Sequence, residues 1–144
     1  MQRLWSYEQS VQNYKEGNAH QQVRPEPACP ICGQSNGLRA HGYYLRWIAD
    51  CLGLTLDVTV RRFRCRACLK TVSYLPTFAQ PYRLVCSAVI QIYALGERGQ
   101  PGVQRWQDRL RGYWRRFQRW LPTLSKEVGC ALGRAPQGQT PQAA

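Results

Sequence analysis

Two C-x-x-C pairs constrain this chain more than any other feature. Cys29 and Cys32 lie in "CPICG" (29–33), Cys65 and Cys68 in "CRAC" (65–68), and residues 33–64 separate them. Each pair forms a tight turn that aims two thiolates at one point. Two such turns supply the four ligands of a tetrahedral site with metal–sulfur bonds near ~2.3 Å. Gly33 suits the first turn, where the chain bends sharply. The intervening residues have room for two strands that return the second turn to the first, which is the layout of a zinc ribbon. Four unrelated buried cysteines are the plain alternative, and two pairs at this spacing in one short chain weigh against it. Iron in the same thiolates, as in a rubredoxin-like electron carrier, uses an identical ligand set. A thioredoxin-like pair needs C-x-x-C at the start of a helix after a strand. Here Pro30 and Gly33 sit between a linker and a strand.

A metal staple also fits the size of the chain. Its 144 residues, 44% of them hydrophobic, allow one modest domain or two very small ones, and a ribbon of this length has little core of its own. The first 18 residues lack the apolar segment of a signal peptide, and no apolar run reaches the ~20 residues of a membrane span. The expectation is a cytoplasmic protein with reduced thiols and no membrane partner. Of the remaining cysteines, Cys86 falls in an apolar stretch and reads as core. Cys51 and Cys130 have no partner at ligand spacing. His41 reads as structural or as a nucleic-acid contact, and His20 has no visible context.

Patterning divides the chain into four parts: an N-terminal helix and linker (1–28), the ribbon (29–80), a basic helical region (81–132) and a disordered tail (133–144). A helix is expected from about Ser6 to Gly17, and strands at 38–48, 54–64 and 71–76, the first bent at Gly42. In the second strand Leu54, Leu56, Val58 and Val60 fall on one face. Residues 83–95 fit a buried helix. Residues 103–121 fit an amphipathic helix whose apolar stripe is Trp106, Leu110, Trp114 (or Tyr113), Phe117 and Leu121. Gly112 weakens that helix, Pro122 ends or kinks it, and "TLSKEVGCAL" adds a short one. The fold class expected is α+β: a small three-stranded zinc ribbon followed by a C-terminal helical, degenerate helix-turn-helix-like segment.

Charge points to a partner. Lys plus Arg is 20 against 8 for Asp plus Glu, a net charge of +12, and the lysines are only Lys15, Lys70 and Lys126. Arginine's planar fork suits phosphates and base edges. Arg61, Arg62, Arg64 and Arg66 crowd the second cysteine pair, and Arg39 and Arg46 lie on the facing strand. Arg105, Arg109, Arg111, Arg115, Arg116 and Arg119 load the last helix against Asp108 alone. Such clusters read as a nucleic-acid surface, with duplex DNA the expected ligand. A solvated face, an acidic protein partner and an anionic membrane surface are the competing readings. The residues assigned to nucleic acid are Arg39, Arg46, Arg61, Arg62, Arg64, Arg66, Arg105, Arg109, Arg115, Arg116 and Arg119.

The run "CPICG…HGYYLRW…VTVRRFRCRACLKTVSYLPTFAQPYRL" resembles the N-terminal zinc-ribbon domain of small transposase-like proteins of bacterial insertion sequences. The matching features are Cys29, Cys32 and Gly33, the "HGYYLR" strand, the "RRFRCRAC" knuckle, and an exit made by Thr71, Leu75, Pro76, Phe78, Pro81, Tyr82 and Arg83. The resemblance spans about residues 5–120. It implies a structural Zn2+ on the four cysteines and a helix-turn-helix in which Arg105-Trp106 stands for an "RW" pair of the last helix. Only "GERGQPG" separates the two expected helices, so the middle helix is missing from this reading. Asp50, Asp57, Glu97, Asp108 and Glu127 sit on no strand framework that would make a catalytic carboxylate triad. The expectation is a non-catalytic DNA-binding zinc ribbon, transposase-associated or regulatory. Its alternatives are a protein-interaction scaffold, docking on a transposase or another protein, and an iron-thiolate carrier.

Overall fold

The alternating stretch at 54–64 lies inside a sheet, as its period demands. The computed structural model describes residues 1–131, with side chains to residue 129, so the expected tail 133–144 and residue 132 lie outside the described residues. The fold is α+β. Its sheet holds β1 (Gln2–Trp5), β2 (Leu38–Ala49), β3 (Thr55–Cys65) and β4 (Thr71–Pro76) in the order β1-β4-β3-β2. The three expected strands are present within a residue or so of their expected bounds. The fourth, β1, pairs parallel with β4, so the sheet has four strands rather than three and residues 1–28 do not stand apart as a helix and linker.

β3 changes its buried face midway. Val58 and Val60 are fully buried, and so are Phe63 and Cys65. Alternation puts the first two on one face and the second two on the other. β2 follows this switch with a bulge, in which His41 and Gly42 together oppose the single residue Arg62. The expected stripe therefore holds only in part: Leu56 is half-buried, Leu54 is exposed, and Phe63 joins a separate core. That second core gathers Val23, Cys29, Leu38, Phe63, Cys65, Val72 and Tyr74.

The N-terminal helix is shorter than expected. α1 (Val11–Glu16) starts at Ser10, whose side chain accepts a hydrogen bond from the Asn13 amide. It packs against β3. Tyr14 is fully buried, donates from its hydroxyl to the Thr59 carbonyl at 2.9 Å, and meets the rings of Tyr7 and Phe78. A 3-10 turn follows at Ala19–Gln22.

After β4 come α2 (Ser87–Ala94), α3 (Pro101–Arg105) and α4 (Gln107–Ala131). α3 belongs to the helix expected at 103–121, which breaks at Trp106 (φ −112°, ψ 18°). Met1–Trp106 forms one compact unit and a second begins at Gln107. α4 runs through Pro122 without ending there and includes the residues expected to form a separate short helix. Within it Trp114 stacks on Phe117, but Phe117 and Leu121, expected to be buried, are exposed, as are Trp120, Leu124 and Val128. Among the described residues no helix is long and apolar enough to cross a membrane.

Candidate metal centre

The four expected ligands converge. The Sγ atoms of Cys29 and Cys68 are 3.9 Å apart and those of Cys32 and Cys65 3.7 Å, and all four lie within 4.8 Å of one another. A tetrahedron with metal–sulfur bonds of about 2.3 Å has edges of about 3.8 Å, so the thiols stand at metal-binding distance. Cys29 and Cys65 are buried, Cys68 is half-buried and Cys32 exposed. The centre is thus anchored in the core that contains Phe63 and open to solvent on one side.

The two turns share one construction. The Gly33 amide donates to the Cys29 carbonyl at 2.8 Å, and the Cys29 amide to the Gln34 carbonyl at 3.0 Å. In the second turn the Cys65 amide donates to the Lys70 carbonyl at 3.0 Å, and the Arg66 amide to the Gly37 carbonyl at 2.9 Å, which ties one turn to the other. The residue after each second cysteine is left-handed: Gly33 at φ +75° and Leu69 at +58°. Glycine takes this conformation freely, whereas leucine is strained in it.

Backbone N–H groups then address the sulfurs. The amides of Cys68 and Ala67 donate to the Cys65 sulfur and, against the effect of burial, bring its pKa down to about 7. The Gln34 amide does the same for Cys32, but lost hydration and the hydrogen bonds shared with the other three thiols prevail and push it up to about 11. Four thiols this close cannot all ionise without a cation among them. The donor set, the spacing and the amide hydrogen bonds to sulfur all fit a four-coordinate thiolate site. His41 is exposed at the bulge and is not among the clustered ligands.

The assigned arginines divide into two groups. Arg39 and Arg64 are exposed and directly opposite each other on β2 and β3. Arg66 is exposed within the second turn. Arg62 lies on the same sheet face as that pair, over the Tyr44 ring. Arg115, Arg116 and Arg119 are exposed on α4. Arg64 also donates from its Nε to the Leu69 carbonyl at 3.0 Å; the arginines of the other group are held by partners elsewhere in the fold. Arg46 donates to the carbonyls of Gln80 and Arg83, holding the loop after β4. Arg61 lies against the rings of Tyr43 and Phe63 and donates to the Tyr43 hydroxyl. Arg105 donates to the Gly53 carbonyl at 2.7 Å. Arg109 is also engaged.

Residues 29–106 match a family described as a domain of unknown function, DUF6431. The chain belongs to this family. No curated protein and no solved structure matches it. The DUF6431 match opens on the first ligand, Cys29, and closes on Trp106, the last residue of the first compact unit. It therefore takes in all four clustered thiols, β2 to β4, α2 and α3. One pair of thiols in this domain has no motif to announce it: Cys51 and Cys86 line one cleft and interact electrostatically. The only hint in the sequence is arithmetic, since seven cysteines less four ligands leave more than a lone thiol.

Proposed function

We propose that this DUF6431 protein is a non-catalytic zinc ribbon that binds nucleic acid, duplex DNA first of all, through the arginines beside its metal centre. Cys29, Cys32, Cys65 and Cys68 would hold Zn2+, which supplies cross-linking of the two turns and no reaction chemistry. β2, β3 and β4 are the ribbon of this reading, and α2 to α4 its degenerate helix-turn-helix-like segment. The resemblance to transposase-like proteins suggests a transposase-associated or regulatory role in the cytoplasm, with a transposase or another protein as a further partner.

One observation carries the reading. Arg39 and Arg64 face each other across a strand pair, where like charges are unfavourable. Arg62 and Arg66 are close by in the sheet and turn. Among the described residues no carboxylate pairs with any of the four. A polyanion turns that repulsion into binding energy.

The test is a salt titration of the zinc-loaded chain on a duplex. If these four arginines contact phosphates, log K against log [salt] has a slope of about −3 to −4, and Arg39→Ala makes it shallower by roughly 1. Unchanged affinity and slope in Arg39→Ala and Arg64→Ala, with zinc retained, would show that the pair only balances the anionic thiolates. A red protein, in place of a colourless one, would assign the thiolates to iron.

A further inference from the structure

Two cysteines outside the metal centre are brought to one cleft. Cys51 lies in the turn after β2, and Cys86 is the N-cap residue just before α2. The main chain holds both in place. The Ala49 amide donates to the Leu84 carbonyl at 2.7 Å, the Cys86 amide to the Ala49 carbonyl at 2.9 Å, and the Gly102 amide to the Cys51 carbonyl at 3.1 Å. Gly102 is there because nothing larger fits: a Cβ would stand 2.5 Å from the Asp50 carbonyl oxygen and 2.9 Å from that of Cys51. The Cys51 turn is thus clamped between α3 and the strand-like segment before α2. In this setting the two thiols line one cleft and interact electrostatically.

Their exposures differ in a useful way. Cys86 is 3% exposed while Cys51 is half-buried, and both line a cleft of about 710 Å3 whose lining also includes Leu4, Tyr7 and Val11. Burial pushes the Cys86 thiol up to about 11, so Cys86 waits protonated behind Cys51. A reagent in the cleft reaches Cys51 first.

We propose that Cys51 and Cys86 are a reversible dithiol–disulfide switch that responds to hydroperoxides. The Cys51 sulfur attacks one peroxide oxygen, an S–O bond forms, and the O–O bond breaks. Hydrogen peroxide leaves as water, carrying the Cys51 proton, and Cys51 becomes a sulfenic acid. The Cys86 sulfur then attacks the Cys51 sulfur, the S–S bond forms and the S–O bond breaks. The departing hydroxide takes the Cys86 proton and leaves as a second water. Two thiols are oxidised and one peroxide is reduced by two electrons. A small dithiol restores the pair by exchange. The bond would lock the β2–β3 turn to the start of α2 along the cleft, and it requires nothing of the metal ligands.

The experiment uses the full, zinc-loaded chain carrying Cys130→Ser, treated with equimolar hydrogen peroxide and mapped by mass spectrometry without reduction. The expected product is a Cys51–Cys86 cross-linked peptide, reversed by dithiothreitol, with zinc still bound. Cys86→Ser should leave Cys51 as a sulfenic acid that dimedone captures. Cys51→Ser, at the more exposed position, should keep its zinc and lose the cross-link. Equal dimedone labelling of Cys51 with and without Cys86, or zinc release before any Cys51–Cys86 bond forms, would overturn the proposal.

Discussion

Leu69 and Gly33 occupy the same place in their turns, each following the second cysteine with a positive φ. A side chain at Gly33 would touch nothing within 4 Å, so its cost is purely conformational. We expect Gly33→Ala to destabilise the zinc-loaded protein by about 1 kcal/mol, and Leu69→Gly to stabilise it by a similar or smaller amount. The Leu69 side chain is exposed and gives up little packing, while its carbonyl, which accepts from the Arg64 side chain at 3.0 Å, survives the change. Urea midpoints of the two variants check this. A loss of stability in Leu69→Gly would mean that the leucine side chain contributes more than its strain costs. The glycine of "CPICG" declares its turn in the sequence. Leu69 does not, because nothing in the letter "L" signals a left-handed backbone that the cysteine spacing and the Cys65–Lys70 hydrogen bond impose.

At the scale of elements, β3 connects two cores by turning opposite faces inward along its length. Phe63 packs in the core that contains Cys29 and Cys65, whereas Val58 lies on the other face. Phe63→Ala should cost about 3–5 kcal/mol, while Val58→Ala, which removes fewer buried carbons, should cost less. The sharper expectation is kinetic: under native conditions only Phe63→Ala should speed zinc transfer to a competing chelator, since it loosens the wall behind two ligands. Equal acceleration by both would show that the two faces respond as one. β2, β3 and β4 were legible because they are rich in aliphatic, aromatic and β-branched residues bounded by turn residues, although only part of β3 alternates. β1 was not, because four residues, "QRLW", become a strand only by pairing with β4. The break at Trp106 was equally hidden: an amphipathic pattern runs through it, and the tertiary approach of Gly102 to the Asp50–Cys51 backbone has no local signature. Pro122 misled in the opposite direction, since α4 continues past a residue that usually ends a helix. Arg46 read as a ligand contact because its charge is visible in the sequence, while its carbonyl partners at Gln80 and Arg83 come from a distant loop.

For the molecule as a whole, the switch of faces decides what the metal supports. The thiols sit at one end of the sheet, within the core built from Leu38, Phe63, Cys65, Val72 and Tyr74. The other end buries Ile48, Val58, Val60 and Leu75, none of them in the core cluster that holds Cys29 and Cys65. Metal removal leaves the first core with four crowded thiols, of which Cys32 is held protonated and Cys65 tends to ionise. The two turns then keep only their main-chain hydrogen bonds, the Arg64–Leu69 bond and the packing of Cys29 and Cys65 in that core. A metal held by these four thiols would link its binding to folding through that end. The opposite face keeps its packing, and with it the aromatic cluster of Tyr7, Tyr14 and Phe78 on the N-terminal side. We therefore expect a chelator to unfold the chain in two stages. Amide hydrogen exchange should rise first at residues 29–40 and 63–72, while Val58 and Val60 remain protected until denaturant is added. Cys65→Ser, which deletes the ligand that the backbone amides favour most, should reproduce the first stage without a chelator and abolish one-to-one zinc binding. Simultaneous loss of protection at Phe63 and Val58 on chelation would show that the metal holds the entire unit and that the two cores are one cooperative structure.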